Sequence, residues 1–100
     1  MRVFNALIAA REFIDAGDYV DIIFDGAGVR SAIEIADPEH PIYGAFKEVE
    51  EHITGLCRFC SAQYEIEEES SKRGFKLLSD NYQHPGFRNF LINDYKILNF

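Results

Sequence analysis

One hundred residues suffice for a single domain with a modest core, and 47% hydrophobic against 27% charged residues mark a globular rather than a disordered chain. The net charge is −7, and the ten Lys and Arg are scattered, with no basic cluster longer than Lys72-Arg73, which argues against nucleic acid as a partner. No apolar run approaches the roughly 20 residues of a bilayer span, and Arg11 and Glu12 interrupt the opening segment before a secretion signal can form. One cytoplasmic domain over residues 1–100 is the expectation.

Val3, Leu7, Ala10 and Ile14 lie on one stripe of a helix that closes at Gly17. The run Tyr19-Val20-Asp21-Ile22-Ile23-Phe24 then predicts a strand over 19–24. Gly26-Ala27-Gly28 lacks the third glycine of a dinucleotide fingerprint and the Lys-Ser/Thr of a phosphate loop, so it reads as a strand-to-helix turn. Asp25 beside it is either a carboxylate in a site or, more simply, a cap for the next helix. Residues 26–51 hold a broken helix, interrupted around Asp37-Pro38-Glu39-His40-Pro41, with Phe46, Val49 and Ile53 on one stripe. A second strand is placed at 53–57. A helix from Ala62 to Arg73 closes at Gly74 before a strand at 75–79. The last helix, Phe87 to Ile92, closes at Asn93 before a strand at 95–100.

Helices alternating with short apolar strands imply right-handed crossovers and a mostly parallel sheet covered on both faces, a three-layer α/β/α fold. The chain opens directly on a helix, whereas a doubly wound sheet places a strand before Val3, central in the flavodoxin-like order. Either the sheet is built differently, or another segment fills the gap, or an upstream piece is absent. An incomplete sheet exposes apolar surface or unpaired edges, so self-association is expected.

The chemistry concentrates at Cys57-Arg58-Phe59-Cys60, at the carboxyl end of a strand and the start of a helix. Ligands collect at that edge of parallel sheets, and a helix N-terminus stabilises a thiolate, with Arg58 as an adjacent cation. Two sulfurs three residues apart can close a disulfide, or one can hold sulfur while the other resolves it. The plainer alternative is two small buried apolar side chains.

The run Phe24-Asp25-Gly26-Ala27-Gly28-Val29 after a strand resembles the DsrE/DsrF-like family of sulfur-relay proteins. So do Gly55-Leu56-Cys57-Arg58-Phe59-Cys60-Ser61-Ala62 entering a helix, and the closing Lys76-Leu77-Leu78-Ser79 and Tyr95-Lys96-Ile97-Leu98. The resemblance covers nearly the whole chain. It implies a flavodoxin-like fold, homo- or hetero-oligomers, and a persulfide-carrying cysteine that matches Cys57 by position. The resolving or protecting role of Cys60 comes from the local chemistry alone. Two departures stand out: the family's first strand is missing, and the acidic run Glu65-Ile66-Glu67-Glu68-Glu69 replaces small and basic residues after the cysteine.

His52 and His84 complete a legitimate zinc ligand set with the two cysteines. The Cys60–His84 spacing matches no finger, however, so no metal is assigned, and no cofactor is required. His40 and His84 each precede a proline, a turn context. The acidic run reads as a solvated helix face or a docking surface for a basic protein. The nine Phe and five Tyr are expected to face a core. Three functions remain open: a sulfur carrier with a donor or acceptor protein, a dithiol/disulfide redox protein, and a non-catalytic oligomeric module whose cysteines pack or bind metal.

Overall fold

The computed structural model describes residues 2–100. Helix α1 (Arg2–Asp15) buries Leu7 and Ala10, with Val3 and Ile14 packed against the same core, so the four-residue stripe is the helix's inner face. Gly17, at φ +88°, closes it: its amide donates to Ile14 O and the Asp18 amide to Phe13 O, which requires a left-handed residue between them. Strand β1 (Ile22–Phe24) is shorter than the expected 19–24, and Tyr19 is 91% exposed.

Helices α2 (Gly28–Ile35) and α3 (Tyr43–Val49) are the two halves of the broken helix. Between them Asp37 Oδ1 accepts from the Glu39 amide and His40 Nδ1 from the Ile42 amide, so this histidine serves the turn. A 3-10 turn (Glu50–His52) leads into strand β2 (Ile53–Cys57). The helix expected over 62–73 is instead two, α4 (Arg58–Gln63) and α5 (Glu67–Lys72). Glu65, at φ +57°, breaks them, with the Ile66 amide donating to Ser61 O. That break turns Ile66 onto the core, where its carbonyl accepts from Ser70 Oγ at 2.7 Å. Strand β3 (Leu77–Leu78) and helix α6 (Arg88–Ile92) follow.

The three strands form a parallel sheet in the order β1-β2-β3, with Phe24, Leu56 and Leu77 in register. Residues in register share a face, and this face carries the core: Phe24 and Leu56 pack with Leu7, Val29, Ala32, Ile35, Phe46 and Val49. On the opposite side Ile23 and Leu78 meet Pro85, Asn89 and Phe90 across a cleft of about 380 Å³. The fold is thus flavodoxin-like α/β, with α6 facing the second side of the sheet across that cleft.

Two expectations need correction, and that of a missing first strand is met. Residues 95–100 form no strand: Asp94, rather than Asn93, takes the left-handed closing position at φ +66°, and Tyr95 then packs edge-on against Phe90 at 5.2 Å. The run pairs with neither free edge of the sheet, β1 or β3, so its β-propensity goes unused and Ile97, Leu98 and Phe100 stay exposed. As expected, no strand precedes α1 among the described residues; β1 pairs directly with β2, so the sheet is built without a central strand between them. Of the aromatic residues only Phe24 and Phe46 are buried, and Tyr82 is 93% exposed.

Candidate thiol and histidine site

Cys57 is both the last residue of β2 and the residue preceding α4, with extended backbone at φ −60° and ψ 123°. Its sulfur accepts from the Cys60 amide at 3.4 Å, the first turn of α4 folding back over it. Behind it Gly55 lets β3 approach closely. A Cβ at residue 55 would lie 2.9 Å from Leu78 Cγ and overlap the Lys76 carbonyl.

The third member arrives from the loop after β3. Asn81 and His84 exchange both backbone hydrogen bonds, at 2.8 and 2.9 Å, around a two-residue turn. Tyr82 and Gln83 in that turn have φ +51° and +68°, positions a glycine or asparagine would occupy without strain. The Phe59 amide donates to Gln83 O at 2.9 Å, and the Phe59 ring lies 4.7 Å from the His84 ring. These contacts fasten the turn to the start of α4 and orient the imidazole.

His84 Nδ1 sits 3.3 Å from Cys57 Sγ, and the ligand atoms of Cys57, Cys60 and His84 all lie within 4.8 Å of one another. Cys57 is 0% exposed, while Cys60 and His84 are half-buried. Both cysteines are free thiols. Burial pushes the Cys57 thiol above its ordinary 9.0, and the neighbouring Cys60 thiol adds to the rise; the Cys60 amide pulls the other way without prevailing. The expected reachable thiolate at Cys57 is therefore replaced by a covered thiol whose ionisation burial opposes. Two supports expected for ionisation are weak: α4 has six residues, and the Arg58 guanidinium is turned to Glu67 at 3.3 Å.

The structure separates the two histidines. His84 joins the cysteines, but His52 lies at the far end of β2, its Nδ1 3.3 Å from Val20 O. Asp25 does not cap α2 with its side chain; Ala27 holds the cap position, and the Asp25 carbonyl accepts from the Gly28 amide in a simple turn. The acidic run is largely matched by local cations, with Glu67 on Arg58, Glu68 on Lys72 and Glu69 on Arg73. Sequence reasoning missed Phe59 and the 81–84 turn. The only signal there is His84-Pro85, which locates a turn but not what the imidazole faces.

No family model matches the sequence, and no solved structure matches it. No helix among the described residues is long and apolar enough to cross a membrane. The chain is similar to the uncharacterized protein MJ0733 of Methanocaldococcus jannaschii, at 29% identity over 94 residues, which cover 94% of this chain and 76% of that protein.

Proposed function

We propose that this protein is a cysteine-based sulfur carrier in which Cys60 receives sulfur and Cys57 holds it as a persulfide. The observation behind this reading is the contact of a buried thiol with an imidazole, 3.3 Å apart, beside a second and more accessible thiol. The resemblance to DsrE/DsrF-like proteins points the same way. The Cys60 thiolate attacks the outer sulfur of a donor persulfide; the new S–S bond forms as the donor's breaks, and the donor leaves as a thiolate. Cys57 then gives its proton to His84 Nδ1 and attacks that outer sulfur, and Cys60 leaves as a thiolate and is reprotonated. No net oxidation occurs. If Cys57 attacks the inner sulfur instead, a Cys57–Cys60 disulfide forms and hydrosulfide leaves; an external dithiol must then reduce the disulfide, the resolving role of the pair.

The reading includes a reducing, cytoplasmic setting, a donor or acceptor protein, and a homo-oligomer. Self-association is favoured by the single-sided pairing of β1 among the described residues and by exposed Leu91, Ile92, Leu98 and Phe100. Mass spectrometry after incubation with a persulfide donor tests the carrier reading. One added sulfur is expected on the wild type, retained on Cys60 in Cys57→Ser and absent in the double variant. No added sulfur, where a control carrier loads, removes the reading. An insulin-reduction assay separates it from a dithiol reductase, in which turnover would be expected.

A further inference from the structure

We infer that Cys57 Sγ, Cys60 Sγ and His84 Nδ1 form a three-ligand site for a zinc-class cation, with a fourth coordination position open on the Cys60 side. The inference rests on the arrangement of these side chains and not on the sulfur-carrier reading.

Zinc binds thiolate sulfur at about 2.3 Å and imidazole nitrogen at about 2.0–2.1 Å in tetrahedral geometry, so the ligand atoms stand roughly 3.5–3.8 Å apart. The present separations bracket that range: 3.3 Å between Cys57 and His84, and none above 4.8 Å. Small side-chain adjustments that bring the Cys60 sulfur toward the other two donors would complete the set. The chemistry of the set also fits. Two thiolates, a neutral imidazole and a dication sum to zero charge, which suits a site with one ligand wholly buried. A bound cation also removes the obstacle that burial sets against ionising Cys57, since a coordinating thiol gives up its proton.

The surroundings hold the donors in place. The Cys60 amide donates to Cys57 Sγ at 3.4 Å, the kind of outer-shell bond that steadies a metal-bound thiolate. The imidazole is fixed by the Phe59 ring and by the paired backbone bonds to Asn81. Two non-glycine residues in left-handed conformation, Tyr82 and Gln83, persist only where the surroundings over-determine them. That strain lies in the turn that delivers His84. Arg58, the cation next to Cys57 in sequence, is engaged with Glu67. No fourth side-chain ligand joins the group among the described residues, so water or an added thiolate takes the remaining position.

The test is titration of the reduced, chelator-treated full chain with Co²⁺, followed by displacement with Zn²⁺. One equivalent should bring thiolate-to-cobalt charge-transfer absorption and intense tetrahedral ligand-field bands, both lost on adding one equivalent of zinc. Cys60→Ser and His84→Gln should each weaken zinc binding by roughly 100-fold or more, since outer-shell losses alone cost about 10–100-fold. His52→Gln should leave it unchanged. Absent charge-transfer bands in the wild type, or zinc affinity that neither variant alters, would overturn the site. Should Cys57→Ser fail to fold, the two variants at half-buried positions still decide. Sulfur loading is read by mass on metal-free protein, so either idea can fail while the other stands.

Discussion

The tight approach of β3 to Gly55 makes that residue the most sensitive test of how the site is built. In Gly55→Ala the new methyl must displace the Lys76 carbonyl and Leu78 Cγ, the latter only 2.9 Å from its position. A strand backbone cannot step aside as a flexible side chain can. Overpacking of this kind costs about 1–3 kcal/mol. The Leu56 amide also loses its bond to Lys76 O, now 2.9 Å, at about 1 kcal/mol. A total of about 2–4 kcal/mol lowers the melting temperature of a domain this size by roughly 10–30 °C. Gly44→Ala is the control of opposite sign: its methyl meets nothing within 4 Å in a helix, so it should stabilise by about 0.5–1 kcal/mol. Urea and thermal melts measure both, and alkylation of Cys57 should accelerate in the Gly55 variant as β3 loosens. A Gly55→Ala protein that melts with the wild type would refute the close packing of β2 on β3.

Exposure sets the order of thiol reactivity: under limiting iodoacetamide Cys60 should be modified well before Cys57, read by peptide mass, and equal labelling would contradict the burial of residue 57. Ser61 is buried and its Oγ has no hydrogen-bond partner among the described residues. Ser61→Ala should therefore leave stability unchanged or raise it by up to about 1 kcal/mol in urea melts, and a loss beyond that would reveal a hidden partner. Burial raises the Cys57 pKa above 9.0. As pH climbs past that value the unfolded chain sheds this proton while the folded chain keeps it, so stability falls from there upward and is untouched below. Cys57→Ser should flatten that alkaline decline in denaturation curves taken across the range; an identical slope would mean the thiol titrates freely in the folded protein.

The periodic and punctuating residues were the legible part of the fold. Leu7 and Ala10, Phe46 and Val49 announce their helices because a 3.6-residue stripe has one place to go, and Gly17 and Gly74 announce where helices stop. The Glu65 and Asp94 stops were hidden, since neither residue type demands the left-handed region; the packing of Ile66 and Tyr95 imposes it. The absent strand at 95–100 shows the limit of local pattern. Tyr95-Lys96-Ile97-Leu98 has the composition of a strand, but a strand exists only against a partner edge. At the site, Cys57 and Cys60 could be placed from spacing alone, since strand end and helix start are local facts. Their burial and the arrival of His84 across 27 residues depend on how β3 and the 81–84 turn pack, which spacing does not encode.

The covering of Cys57 bears directly on the two chemistries argued for this site. β3 packs closely on Gly55, and the buried Cys57 sulfur touches the half-buried His84 imidazole and the Cys60 amide. In the proposed persulfide transfer the lone pair on His84 Nδ1 takes the Cys57 proton, whereas in the proposed zinc site the same lone pair makes the metal bond. One nitrogen cannot do both at once. Sulfur loading and zinc binding must therefore exclude each other, and zinc at one equivalent should suppress sulfur uptake on Cys57 while a chelator restores it. Uptake at an unchanged rate with zinc bound would mean that His84 is not the base, and that Cys57 gives up its proton by some path other than its 3.3 Å neighbour.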